Sequence, residues 1–430
     1  MRQRVAILLI GLLALGACGD DSADDGASTP SARGVTADAV KVGFAIVDLK
    51  SLAAQGIKDP YGLRQDAQQV LQALVDDVNA DGGVNGRRID PVFKKVDFLD
   101  PNAQRAACLA FVQDDAVFGV VDTFAFSRPD TQGCLAAENK TPVVSASPGT
   151  DAELAKNAPY LVSLRKSETR TLKDLVLGAK EEGFFDAAKG FKKLGIVSHA
   201  CRQELVDGPA GLKRLLADAG VAGTLSNFQI DCTLQGEQSI GEAAVLRHKQ
   251  DDVTHVMLLA GNQAIAGYTG AATKARYFPK YFQSDYQSAT ENIGAGIYDP
   301  QQFDGVRAYT TLNRGKPADY QGVRRCNDVL SAARVPVIDD FARNTEAVAF
   351  CDHFELFTRA LRGAGSSPTA ESWAQAVRRV GSFEGATVNS GDLREEDGKL
   401  TGQGTTVALI EWRKSCTCWE KVGDFRKAFG

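Results

Sequence analysis

Apolar positions along the chain fall into two alternating patterns. Short, nearly continuous apolar runs occur at Lys41 to Val47, Val117 to Asp122, Pro142 to Ala146, Leu194 to Ser198, Val253 to Leu259 and Lys280 to Gln283. Such runs fit strands buried on both faces. Between them, apolar residues recur at helical spacing. Val70, Leu71, Leu74, Val75 and Val78 share one face, as do Leu212, Leu215, Leu216 and Ala219 behind Asp207-Gly208-Pro209, where proline suits a first helical turn. Further helices are predicted over 168–182 and Ile240 to Leu246. Gly82-Gly83 ends the first helix, Val84-Asn85-Gly86 makes a second turn, Ile89 to Val96 can run as a strand, and Asp100-Pro101-Asn102 reads as another helix cap. Strand and helix alternating at this rhythm call for α/β architecture with doubly wound parallel sheets. One sheet covers Lys41 to about Ala146 and a second begins near Lys193, with Thr405 to Trp412 and Cys418 to Val422 as a closing strand pair. A chain of 430 residues has room for both.

Composition narrows the function classes. Hydrophobic residues at 44% and charged residues at 24% are those of an ordinary globular protein, and the net charge of -5 with no basic tract argues against nucleic acid as a partner. Arg2 and Arg4 precede an apolar run from Val5 to Leu15 that is too short to span a bilayer, so residues 1–17 read as a signal peptide. Leu15-Gly16-Ala17-Cys18 resembles the lipobox of bacterial lipoproteins, which implies lipidation of Cys18 and an extracytoplasmic, membrane-anchored protein. Residues 18–37, rich in Gly, Ser, Asp and Pro, read as a flexible tether with a reach on the order of 25 Å.

Setting Cys18 aside, eight of the nine cysteines remain, an even number in an exported chain. Val323, Cys326, Leu330 and Ala333 share a helical face, as do Ala347, Phe350, Cys351, Phe354 and Leu361, so Cys326 is expected to bridge to Cys351. Cys108 to Cys134 would join two successive helices, and Cys201 to Cys232 the ends of two successive strands. Cys416 and Cys418 either pair across one residue, which strains a bridge, or reach Cys201 or Cys232.

The chain has no Gly-x-Ser-x-Gly, His-Glu-x-x-His or Gly-x4-Gly-Lys-Ser/Thr motif. Of the four histidines, His248 and His255 flank a charged run and read as solvated or half-buried, while His353, two residues from Cys351, reads as a surface residue. Neither an enzyme, a metal site nor a cofactor is expected.

Ligands of open parallel sheets gather at the strands' carboxyl ends, where helix N-termini present free N–H groups. The loop after Val117 to Val121 therefore draws attention, with Ser127 as a hydroxyl for a ligand carboxylate and Phe124 and Phe126 as apolar wall. The stretch VNADGGVNGRRI, followed by DPNAQ, resembles the first crossover of Leu/Ile/Val-type periplasmic binding proteins, the type I solute-binding components of ABC importers. That resemblance implies two doubly wound lobes joined by a three-strand hinge, with lobe 1 at 38–162 plus 305–385 and lobe 2 at 163–304 plus 386–427. It implies a small amino-acid-like ligand, an importer permease as partner and attachment to the membrane; a ligand-sensing surface lipoprotein is the second reading. Ser147-Pro148-Gly149 resembles the family's carboxylate-holding segment and carries Ser145, Ser147 and Thr150 as candidates. Where the family often has aromatic rings this chain has Gln203, Asn262 and Gln263, which suits a hydrogen-bonding ligand. In the segment Gln283-Ser284-Asp285-Tyr286, Asp285 stands where the family places an acid for the ligand's ammonium.

Overall fold

The computed structural model describes residues 32–54, 62–126, 129–147, 149–221, 225–232, 236, 239–393, 395–396, 399–400 and 403–429. Five parallel strands, β1 (Ala39–Val47), β2 (Arg88–Val96), β3 (Gly119–Asp122), β4 (Val143–Ser145) and β5 (Leu161–Ser163), form a first sheet in the order β2-β1-β3-β4-β5. A second sheet carries β6 (Leu194–His199), β7 (Leu225–Ile230), β8 (His255–Leu259), β9 (Lys280–Ser284) and β10 (Arg307–Thr310) in parallel order β7-β6-β8-β9-β10. Antiparallel strands Thr406–Arg413 and Cys418–Lys421 extend it beyond β10. The apolar runs did not single out β5, β7 or β10, β7 entering only as the strand that ends before Cys232: β5 is only three residues long, and the edge strand β7 is laced with polar residues.

The glycine-rich stretch that carries the family resemblance has a local physical reason. The helix Ala67–Ala80 buries Val70, Leu71, Leu74 and Val75 and is then turned by Gly82 and Gly83. Gly83 has φ +75°, and a Cβ there would lie 2.0 Å from the Arg87 carbonyl oxygen, so no other residue fits. The Asn79 amide donates to the Ile89 carbonyl (3.0 Å) and accepts from the Ile89 N–H (2.6 Å), fixing where β2 begins. Asn85 donates to the carbonyls of Arg362 and Gly365, tying the same turn to the end of the helix Thr345–Gly363. Asp100 caps the next helix, Pro101–Leu109, by accepting from the Asn102 N–H.

Each sheet has its own core. The helices Gln321–Ala332, Thr345–Gly363 and Ala370–Val377 return to the first sheet, where Phe44 meets Phe354 and Phe118 meets Phe357. The helix Glu168–Glu181 packs Leu172, Leu175 and Val176 on the second. The chain crosses between lobes three times: after β5, after β10 and before Thr406. The second crossing falls near 311 rather than 305, because β10 bonds to β9 and to Thr406–Arg413. The third falls near 405 rather than 386, because Ala386 and Leu393 belong to the first core. The second and third crossings lie side by side, a Cβ at Gly404 falling 2.5 Å from the Thr311 side chain, and they rest on the first lobe, with Leu312 bridged to Val388 and the Thr405 N–H donating to the Ser390 carbonyl.

Four disulfides close Cys108 to Cys134, Cys201 to Cys232, Cys326 to Cys351 and Cys416 to Cys418. Other expectations need correction. The helix expected to open at Pro209 starts at Leu212, because Gly208 to Gly211 form a turn after the short helix Glu204–Asp207. His248 is fully buried with Nδ1 2.7 Å from the Tyr268 hydroxyl, and burial pushes it down to about 4. His353 is not a surface residue either: it is buried with Nδ1 3.0 Å from the Asp122 carbonyl, and burial pushes it down to about 3. The supposed tether becomes ordered before residue 37. Arg33 donates to the Val117 carbonyl and the Thr141 hydroxyl, and the buried Val35 bridges to Val40. Cys18 and the signal peptide lie outside the described residues, and no described helix is long and apolar enough to cross a membrane.

Two predictions follow from this packing. A chain beginning at residue 32 should keep its full thermal midpoint, whereas one beginning at residue 37 should melt roughly 2 °C or more lower; equal midpoints would show that residues 32–36 add nothing. Glu346 is buried with one oxygen unpartnered, the other accepting from the Arg64 N–H, and burial pushes its carboxyl up from 4.5 to about 7. Its contribution to stability is therefore full below pH 4.5 and lost as pH rises through 7. Glu346→Gln should be more stable than the parent at pH 8, by on the order of 3 kcal/mol, and nearly equal to it at pH 4.5, as read by urea unfolding.

Candidate ligand-binding cleft

The carboxyl ends of β3, β4, β6 and β9 surround a cavity of about 610 Å³ between the two sheets. The loop after β3 is shaped by Asp122, whose carboxylate accepts from the Ala125 and Phe126 N–H groups at 3.0 Å and from the Ser145 hydroxyl at 2.7 Å. Burial pushes this acid up to about 6. The turn it makes presents Phe124 to the cavity, and Gln132 completes the wall by donating to the Phe126 and Ser147 carbonyls.

Cations enter from the chain crossing and from the second lobe. Arg165, directly after β5, stacks 5.3 Å from the centre of the Phe124 ring, pairs with Glu291, and keeps an Nε–H that has no hydrogen-bond partner. Next to it Lys166 is buried against Asp174 at 2.6 Å. Arg202, at the end of β6, pairs with Glu168 and reaches across the cleft to Glu153 of the first lobe at 2.6 Å. Burial works against its charge, but Glu168 and Glu153 outweigh that and raise its pKa. Its Nε–H likewise has no hydrogen-bond partner. Glu168 also accepts from Gln287, while Glu153 caps the Thr150 N–H.

The sequence-derived candidates divide into two groups. Phe124, Ser147, Asp285 and Tyr286 line the cavity. The rest of the described candidates do not. Phe126 is packed in the core against Phe111, and Ser145 is buried behind the wall as the donor to Asp122. Thr150 is used up as the cap of the helix Asp151–Asn157. Gln203 bonds to Asp207 and Gln229, Asn262 accepts from the Tyr298 hydroxyl, and Gln263 is exposed beside it. Ser127 and Pro148 lie outside the described residues.

Asp285 is in the cleft but is not free to receive an ammonium. One of its oxygens accepts from the Thr290 and Thr310 hydroxyls, the other from the Thr311 N–H and hydroxyl at 2.7 and 2.8 Å. Four donors fill a carboxylate's four lone pairs. The residue clamps the loop after β9 to the second chain crossing.

Sequence reading missed Arg165, Lys166, Glu168, Arg202 and Glu153. Arg202 stood one position from a residue that was singled out, at a strand's carboxyl end, and that position was its available signal. Arg165 follows a strand too short to recognise.

Comparison with known proteins agrees with this geometry. A family model described as periplasmic binding protein matches residues 61–416. No curated protein sequence matches. Among solved structures, the chain is similar to an ABC transporter solute-binding protein from R. palustris in complex with 4-hydroxybenzoate, at 17% identity, TM-score 0.67 and coverage of 91% of this chain and 98% of that one. It is similar to a fatty acid ABC transporter substrate-binding protein from Thermomonospora curvata, at 17% identity, TM-score 0.65 and coverage of 93% and 95%. A leucine-binding protein from Thermotoga maritima matches at 12% identity, TM-score 0.63 and coverage of 90% and 99%. With most of its length matched by the family model and two parallel-sheet lobes joined by three crossings, the chain belongs to the periplasmic binding protein family and has its type I fold.

Proposed function

We propose that this protein is an extracytoplasmic solute-binding lipoprotein, anchored through Cys18, that encloses a small organic carboxylate between its lobes and delivers it to an ABC importer. The observation that carries the ligand class is the state of the charges in the cleft. Asp285 has no lone pair left for an ammonium, and Glu153 and Glu168 are both engaged by Arg202. The guanidinium Nε–H groups of Arg165 and Arg202, by contrast, are buried donors without a hydrogen-bond partner, that of Arg202 having only Glu204 at 3.9 Å. A buried unpaired donor is costly, and a ligand oxygen would relieve it. The carboxylate would meet Arg165 and Ser147, with Phe124, Tyr286 and Leu312 as wall for its carbon skeleton. The ligands named for the similar structures, 4-hydroxybenzoate, fatty acid and leucine, all carry a carboxylate, and an amine is not common to them. An amino acid is thus one member of the proposed class and its ammonium is not required.

A thermal-shift screen of organic acids, amino acids, amines and neutral amides tests this reading. Acids should raise the midpoint, and a response confined to amines or polyamines would overturn it. Arg165→Gln should weaken the best acid by at least tenfold in calorimetry, the scale of a lost charge-assisted hydrogen bond. Asp285→Ala should lower stability by about 2 kcal/mol, because it frees three hydroxyls and one N–H. It should change affinity for an acid and for its amino counterpart by the same factor. Selective loss of the amino ligand would restore the ammonium-binding role.

A further inference from the structure

At the pole of the second lobe opposite the cleft, the strands Thr406–Arg413 and Cys418–Lys421 are joined by a tight turn that carries Cys416, Thr417 and Cys418. Because Thr406–Arg413 runs antiparallel to β10, this turn sits beside the start of β10, where the Lys414 N–H donates to Asp304. Its two-residue spacing and its backbone separate this disulfide from the others. Its partners are two residues apart, so closing it restrains almost none of the unfolded chain, and chain entropy gives it little stability. Cys416 is exposed, as are Cys201 and Cys232, whereas Cys108, Cys134, Cys326 and Cys351 are buried. Thr417, a β-branched residue, is held at φ +50°, a conformation such residues adopt only at a cost.

Beside this bridge stands a third possible ligand. Glu420 lies on the same strand as Cys418, its Oε1 3.9 Å from the Cys416 sulfur, and the ligand atoms of Cys416, Cys418 and Glu420 all lie within 4.8 Å of one another. Among the described residues this is the one group of three or more His, Cys, Asp and Glu side chains close enough to share a metal ion. Two thiolates and a carboxylate, with water in a fourth position, are the donor set of a tetrahedral zinc-class ion.

We infer that this turn is a redox-gated site for a thiophilic divalent cation. A dithiol reductant supplies the electrons. One of its thiolates attacks a sulfur of the bridge, the S–S electron pair leaves on the other cysteine as a thiolate, and the reductant's second thiol resolves the mixed disulfide. The two cysteines and a cyclic disulfide of the reductant are released, with the two thiol protons passing from reductant to protein. The cation then displaces those protons, since thiolate is the ligating form. The site is separate from the ligand cleft and does not depend on what the cleft binds.

The test uses the full-length chain and Cd2+ alone as the probe. After brief treatment with limiting dithiothreitol and removal of the reagent under anoxic conditions, alkylation and mass mapping should label Cys416 and Cys418 while Cys108, Cys134, Cys326, Cys351 and the exposed pair Cys201 and Cys232, which closes a longer loop, stay bridged. Cd2+ should then bind at one per chain, with the ultraviolet absorption of thiolate-to-cadmium charge transfer. The oxidised protein should give none. Glu420→Gln, which leaves both cysteines and the strand pair in place, should weaken Cd2+ at least tenfold, and the double change Cys416→Ser with Cys418→Ser should abolish the absorption. Labelling of any other cysteine pair before Cys416 and Cys418, or Cd2+ binding of the same strength in the double variant, would overturn the proposal.

Discussion

Charge can be enclosed between two lobes only if each ion has a partner, and the cleft of this protein is assembled from such pairs. Lys166 is matched by Asp174, Arg165 by Glu291, and Arg202 by Glu153 and Glu168. These pairs also set the mechanics. The bond from Arg202 to Glu153 runs from one lobe to the other, so it favours the closed arrangement. The clamp of Asp285 on Thr310 and Thr311 binds the second crossing to the cleft wall. Ligand binding and lobe closure would then draw on the same few contacts, as expected of a hinge-closing receptor.

Strand direction puts these contacts in one place. In both sheets the parallel strands end at the cleft, so the segments after β3, β4, β6 and β9 converge there although they come from distant parts of the chain. Inside the first lobe, Asp122 is bonded by two backbone amides and by Ser145, and its carbonyl is met by His353 from the helix behind. The loop that presents Phe124 is thus held from its core side.

Much of the scaffold was legible in the sequence because its signals are local. Gly83 must be glycine to pass Arg87, Asn79 and Asn85 use their amides within that turn or against one helix end, and buried parallel strands leave unbroken apolar runs. The cysteine pairs of neighbouring helices and strands were legible for the same reason. The site was only partly so. Phe124, Ser147, Asp285 and Tyr286 were located, but what a side chain does there depends on partners far away in the chain. Asp285 looked free until Thr310 and Thr311 were brought to it, and Ser145 looked like a ligand contact until Asp122 stood behind it. Arg165 and Arg202 have no motif of their own, because whether an arginine keeps an N–H without a hydrogen bond depends on neighbours from distant parts of the chain.

The central claim is that the cleft recognises a carboxylate and has no separate requirement for an amine. Calorimetric titration with one bound acid and its neutral primary amide, repeated across the acid's own pKa, tests it most directly. The account predicts constant affinity while the acid is ionised, a fall approaching tenfold per pH unit once it is protonated, and an amide that binds far more weakly throughout. An amide binding as tightly as the acid, or an affinity indifferent to the ligand's ionisation, would contradict it.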